Sequence, residues 1–257
     1  MGKEKLTNSL QQQKEKGSNL FVPYIMAGDG GLEKLNEHVL FLQDCGVAAI
    51  EVGIPFSDPV ADGPTIQNAG KRALKLGTTL ANCLHTLASF KDKRDVPIIV
   101  MTYVNPIFSF GIEQFAATCF QSGIDGVIIP DLPLEEESLL ADVLQQYDIT
   151  FIRLVSLTSP KERVKAIMNR AEGFLYAVTV KGTTGVRTSF ANEVNAYLQQ
   201  LKSQSDVPVL AGFGISTSEQ AKALSSYCDG VVVGSKIVDL FHENKPEEIR
   251  QFILKST

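Results

Sequence analysis

Glu51 and Asp62 bracket the segment Glu51-Val-Gly-Ile-Pro-Phe-Ser-Asp-Pro-Val-Ala-Asp62-Gly-Pro, which joins the end of an apolar run to a stiff, acid-bearing loop. Pro55, Pro59 and Pro64 fix φ and remove N–H donors, and Gly53 and Gly63 admit unusual backbone angles, so the loop suits holding Asp58 and Asp62 in defined places. Residues 47–52 (VAAIEV) are short, apolar and rich in small or β-branched types; they read as a buried strand with Glu51 near its C-terminal end. By alternation Glu51 shares a face with Val47 and Ala49, and Ala48, Ile50 and Val52 form the other. A carboxyl group among apolar neighbours loses hydration of its charged form. Its pKa rises, and it can then give or take a proton near neutrality. A structural ion pair with an arginine or lysine is the competing reading for Glu51 taken alone, and the rigid loop with its second acid favours proton transfer.

The elements that must position these acids recur rhythmically. Strand candidates occupy residues 21–26, 47–52, 97–102, 126–129, 150–155, 174–178, 207–211 and 230–233, with amphipathic stretches at 32–45, 111–122, 135–146, 161–171, 191–203 and 218–225 reading as helices. Similar steps lead from helix to strand: Cys45-Gly-Val-Ala-Ala-Ile, Ser122-Gly-Ile-Asp-Gly-Val and Tyr227-Cys-Asp-Gly-Val-Val. Eight βα units in 257 residues predict an α/β fold, a (β/α)8 TIM barrel forming one domain over residues 1–257 with an extra N-terminal helix. Gly212-Phe-Gly214 is followed by Thr217 where a dinucleotide fingerprint needs its third glycine. The N-terminal segment MGKEKLTNSLQQQKEKG is too polar for a signal peptide and is expected to form a surface helix.

In a barrel, function belongs at the C-terminal strand ends. Glu51, Asp62, Asp131, Tyr176, Thr184, Gly214 and Ser235 fall there, whereas His38, His85 and His242 fall on expected helices, so carboxylates must carry any proton transfer. Three glycine-containing segments follow the last three strands: Lys181-Gly-Thr-Thr-Gly-Val-Arg187, Gly212-Phe-Gly-Ile-Ser216 and Gly234-Ser-Lys236. The last two follow strands seven and eight, where barrels offer backbone N–H groups and a helix N-terminus to a phosphate. The first is longer than a tight connection and reads as a lid, with a plain surface loop as the alternative. Lys181 is a further candidate, for a Schiff base with a carbonyl substrate. A net charge of -5 gives no argument for nucleic acid or anionic membrane, and no apolar run is long enough to span a bilayer. Cys45, Cys83, Cys119 and Cys228 have no metal-ligand spacing and read as reduced core thiols in a cytoplasm.

Taken together, Phe21-Val-Pro-Tyr-Ile-Met-Ala-Gly-Asp29, the Glu51 to Pro64 loop, Tyr103-Val-Asn-Pro106, Pro130-Asp-Leu-Pro133, Gly182-Thr-Thr-Gly185, Gly212-Phe-Gly-Ile-Ser216 and Gly234-Ser235 are specific. Over nearly its whole length the chain resembles the alpha subunits of tryptophan synthase. The resemblance implies cleavage of indole-3-glycerol phosphate to indole and glyceraldehyde 3-phosphate, a cofactor-free retro-aldol reaction. It also implies a partner beta subunit that uses pyridoxal phosphate to consume the indole, in an alpha2-beta2 tetramer. On this resemblance Glu51 matches the general acid/base, Asp62 the carboxylate facing the indole nitrogen, and Tyr176 an active-site tyrosine. Gly185, Gly214, Gly234 and Ser235 match the phosphate pocket, Thr184 the hinge of the mobile loop, and Asp58 a partner contact. The indole needs an apolar slot, for which Phe21, Met101, Tyr103 and Phe213 are candidates alongside plain core packing. The mobile loop departs from the usual Ser-x-x-Gly-Val-Thr-Gly: Thr179 stands for the serine and Thr183 for the valine. Two other readings stay open, a phospho-sugar isomerase or Lys181-dependent aldolase, and a non-catalytic subunit that binds phosphate ligands and activates a partner.

Overall fold

The computed structural model describes residues 2–179, 187–212 and 214–257. Among them, parallel strands β1 (Leu20–Met26), β2 (Ile50–Gly53), β3 (Ile98–Met101), β4 (Gly126–Ile128), β5 (Thr150–Ser156), β6 (Leu175–Val178), β7 (Val209–Gly212) and β8 (Gly230–Val233) pair in chain order. β8 pairs back onto β1, so the sheet is a closed (β/α)8 barrel, as expected from the rhythm of the sequence. Strands covered on both faces need apolar residues throughout, which is why they read as short continuous runs. Side-chain alternation then sorts them. Val22, Tyr24, Ile99, Met101, Ile152, Tyr176, Leu210 and Val232 share the barrel interior. Phe21, Ile25, Ile50, Val52, Ile98, Val100 and Val231 face outward into the layer beneath the helices.

Glu51 is placed inward because Ile50 and Val52 on either side of it face outward. The expected alternation fails only before the strand proper. Ala48 joins the interior cluster and Val47 the outer one, the reverse of the assignment from strict alternation. The reason is that β2 begins at Ile50, so residues 47–49 are not bound to strand periodicity.

The N-terminal helix, Lys3–Glu15, is more than a surface helix. Leu6 and Leu10, one turn apart, are 0% and 1% exposed and belong to the barrel interior cluster, so the helix stoppers the N-terminal end of the barrel. Ser9 Oγ donates to Ala48 O at 2.6 Å and Lys14 pairs with Asp229 at 3.0 Å, tying the plug to the rim. Two leucines on one face of an otherwise charged helix are easily passed over when composition is averaged along the segment.

The acid-bearing loop ends in a helix, Pro64–Lys75, in which Pro64 occupies the first turn, where its missing N–H is no loss. Gln67 Nε2 donates to the Asp62 carbonyl at 2.9 Å and secures the junction. The helix expected at 111–122 is preceded by another, Val104–Phe110, and Gly111 at φ +93° turns the chain between them. The four cysteines are free thiols.

Candidate active site

A cavity of about 370 Å³ opens at the C-terminal end of the barrel, and Glu51 and Asp62 both line it. Glu51 is 1% exposed, and its Oε2 has no hydrogen-bond partner. Burial, and secondarily the nearby Asp62 charge, pushes its pKa up to about 8. Asp62 is raised to about 6, chiefly by burial, with a hydrogen bond from the Tyr103 side chain pulling the other way. Near pH 7 the pair therefore divides, with Glu51 holding a proton and Asp62 ionised.

Two phenols flank the acids by the same device. Tyr24 on β1 is the Cα partner of Glu51 on β2 and lies across Gly53, two residues further on, where a Cβ would sit 1.9 Å from Tyr24 Oη. Tyr176 on β6 is the Cα partner of Leu210 on β7 and lies across Gly212, again two residues on, where a Cβ would sit 2.3 Å from Tyr176 Cε1. Neither glycine has positive φ. Gly53, expected to supply an unusual backbone angle, instead supplies space, and Gly63 at φ -76° is equally ordinary. Burial raises both phenols, with Glu51 and Asp62 adding to the effect, so both keep their protons.

Met101 lines the cavity as expected. Phe21 does not: it faces outward and packs edge-on against Phe252, ring centroids 6.0 Å apart, because odd positions of β1 point to the helices. The aromatic wall on β1 is Tyr24, and Ile66 of the helix Pro64–Lys75 joins it. Counting parity inward from Val22 would have found Tyr24; Ile66 has no comparable signal, since its place depends on how its helix docks. Tyr103 meets the site through Asp62, and its ring tilts against Phe56 at 5.2 Å.

The cavity is also lined by Gly214, at φ +77°, and by Gly234 and Ser235, which begin the helix Ser235–His242. Backbone N–H groups at such a start, with a serine hydroxyl, suit an anion. Thr184, Gly185, Phe213 and Lys181 lie outside the described residues. Asp131 has a structural task, accepting the Val104 N–H at 3.0 Å to start the helix Val104–Phe110. Asp58 is exposed on the loop and accepts the Ser57 hydroxyl at 2.5 Å, beside Val60, which is 81% exposed. His38 is stacked on Phe241 at 4.0 Å in the helix layer. No cluster of His, Cys, Asp and Glu able to hold a metal occurs among the described residues.

A separate, larger cavity of about 490 Å³ is lined by residues 129–134 and by β5. Its walls hold no second acid like Glu51, and its charges are engaged: Arg153 pairs with Glu137 at 2.8 Å and Arg163 with Glu135 at 2.7 Å.

Residues 10–256 match the family described as tryptophan synthase alpha chain. A relative of that description from Oceanobacillus iheyensis is 54% identical over 256 residues, covering 100% of this chain and 98% of its own. The chain belongs to the tryptophan synthase alpha chain family. Among solved structures, tryptophan synthase subunit alpha from Legionella pneumophila is similar at TM-score 0.87 and 32% identity, over 98% of this chain and 96% of that one. A chain from a study of mutual activation in the tryptophan synthase α2β2 complex of Pyrococcus furiosus is similar at TM-score 0.84 and 34% identity, over 93% and 97%. As a tryptophan synthase alpha chain it is a carbon–carbon lyase of tryptophan biosynthesis, cleaving indole-3-glycerol phosphate to indole and glyceraldehyde 3-phosphate. The alpha chain needs no cofactor; pyridoxal phosphate belongs to the beta subunit. Among the described residues no helix is long and apolar enough to cross a membrane.

Proposed function

We propose that Glu51 is the general acid/base of the cleavage and Asp62 its ionised companion. The observation that carries this is the buried Glu51 carboxyl, its Oε2 without a hydrogen-bond partner and its pKa pushed up to about 8, facing the same cavity as an acid of lower pKa. Breaking the bond between the indole ring and its glycerol chain requires a proton on ring carbon C3, which leaves the ring nitrogen positive, and loss of a hydroxyl proton as the aldehyde forms. The electrons of the broken bond return to the ring, so indole leaves with its N–H. Glu51 delivers the proton to C3, and the resulting carboxylate can accept the hydroxyl proton. Asp62, held by Tyr103, faces the ring nitrogen and stabilises the positive charge that develops there. Tyr176 and Met101, with Tyr24, form the slot for the ring, and Gly214, Gly234 and Ser235 receive the phosphate. Thr184, Gly185 and Phe213 complete the hinge, phosphate pocket and slot in this reading.

The single barrel of residues 1–257 works in the cytoplasm with a beta subunit, in an alpha2-beta2 tetramer, and the exposed Asp58 of the loop contacts that partner. The complex named for the Pyrococcus relative supports this assembly. The test is to give the purified chain indole-3-glycerol phosphate and follow indole release with and without a beta subunit. Slow release alone and faster release in the complex are expected, with Glu51→Gln abolishing both while still binding substrate. Full turnover by Glu51→Gln would overturn the assignment.

A further inference from the structure

The phosphate of a phosphomonoester carries about 1.5 to 2 negative charges at neutral pH. The cavity that must receive it already holds Asp62, ionised above about pH 6, and Asp239 lies on its rim. Gly214, Gly234 and Ser235 answer with neutral donors, and the start of a helix adds at most about half a charge. Among the described residues lining the cavity, Lys236 is the one cation.

Its position is odd on structural grounds. Lys236 is the second residue of the helix Ser235–His242, the end where the helix dipole disfavours a positive side chain. The described residues give it no ion-pair partner, although Asp239 follows one turn later and Glu243 is close enough for its pKa to be lowered by Lys236. A cation so placed adds repulsion to the fold, and an anion between it and the helix start removes that repulsion.

We propose that Lys236 is a substrate-binding residue whose ammonium group pairs with the phosphate of indole-3-glycerol phosphate, a role that rests on the lyase reading of the cavity. A lysine suits the task because its flexible stem carries a point charge that can follow the phosphate from arrival to departure. The phosphate is not altered by the reaction, so the contact is equal in substrate and transition state and belongs to KM rather than to kcat.

The experiment compares wild type, Lys236→Met and Lys236→Arg, using indole-3-glycerol phosphate for turnover and glycerol 3-phosphate as the binding probe by calorimetry. Lys236→Met is expected to raise KM about tenfold with kcat within about twofold, and to weaken the probe about tenfold; Lys236→Arg restores both. KM of wild type should rise with ionic strength, and that dependence should flatten in Lys236→Met. A KM and probe affinity in Lys236→Met within about twofold of wild type would overturn the proposal. So would a wild-type KM indifferent to salt, a result that needs no variant to fold. Absence of indole release from wild type would instead sink the lyase reading, and probe affinities would still decide whether Lys236 binds phosphate.

Discussion

Two acids of similar intrinsic strength end up with opposite protonation because Glu51 is the more deeply buried and also feels the Asp62 charge, while Asp62 is only half-buried and has a hydrogen-bonding partner. Glu51 faces the cavity with an unpaired oxygen, whereas Asp62 receives a hydrogen bond from Tyr103. The signs fix a pH window. Asp62 loses its useful charge as pH falls through about 6, and Glu51 loses its useful proton as pH rises through about 8. The kcat/KM for indole release should therefore be highest between those values and fall about tenfold per pH unit beyond either limb. Removing the Tyr103 hydroxyl by Tyr103→Phe should move the acid limb upward and leave the alkaline limb nearly in place; an unmoved acid limb would show that Asp62 is governed by something else. The acids themselves were legible in the sequence. So was the direction of their inequality, since Glu51 sits in a buried strand; the hydrogen bond from Tyr103 to Asp62 was not, because Tyr103 lies beyond the next strand and only the closed sheet brings it over.

At the scale of strands, Tyr24 over Gly53 and Tyr176 over Gly212 repeat one arrangement across two parallel pairs. A residue facing inward on one strand meets the position two beyond its Cα partner on the next, and only glycine leaves room there for a ring. Gly53→Ala should therefore push Tyr24 into the cavity, lowering kcat/KM by about tenfold or more and costing about 1–3 kcal/mol of stability from overpacking. Tyr24→Leu in the same chain should recover much of that stability in a double-mutant cycle. Additive effects in denaturant unfolding would refute the steric account. The sequence marks Gly53 as a glycine beside an acid and suggests a turn; that it is a gap for a neighbouring strand's side chain follows from the register alone.

Across the molecule, the barrel is stoppered at one end and open at the other. Leu6 and Leu10 fill the N-terminal end, while the acids, Gly214, Gly234, Ser235 and the exposed Asp58 loop lie at the C-terminal end. Stability and chemistry are thus separated along the barrel axis. Leu10→Ala should cost about 2–5 kcal/mol in denaturant unfolding and leave KM for indole-3-glycerol phosphate within about twofold of wild type. A large rise in KM would mean that the plug is coupled to the site.

The sequence by itself determined the barrel and its chemistry, because strand and helix periodicities are local and because Glu51, Asp62 and the glycine segments carry their reactive groups with them. It placed the strands with small errors at their ends and assigned Met101 to the cavity. What the tertiary structure decided were relations between strands: that Tyr24 and not Phe21 lines the cavity, that Gly53 is a space rather than a bend, that the first helix enters the core, and that Lys236 is the one cation among the described residues lining the cavity. Each depends on closure of the sheet, which sets the distance between residues far apart in the chain and converts a parity or a spacing into a contact.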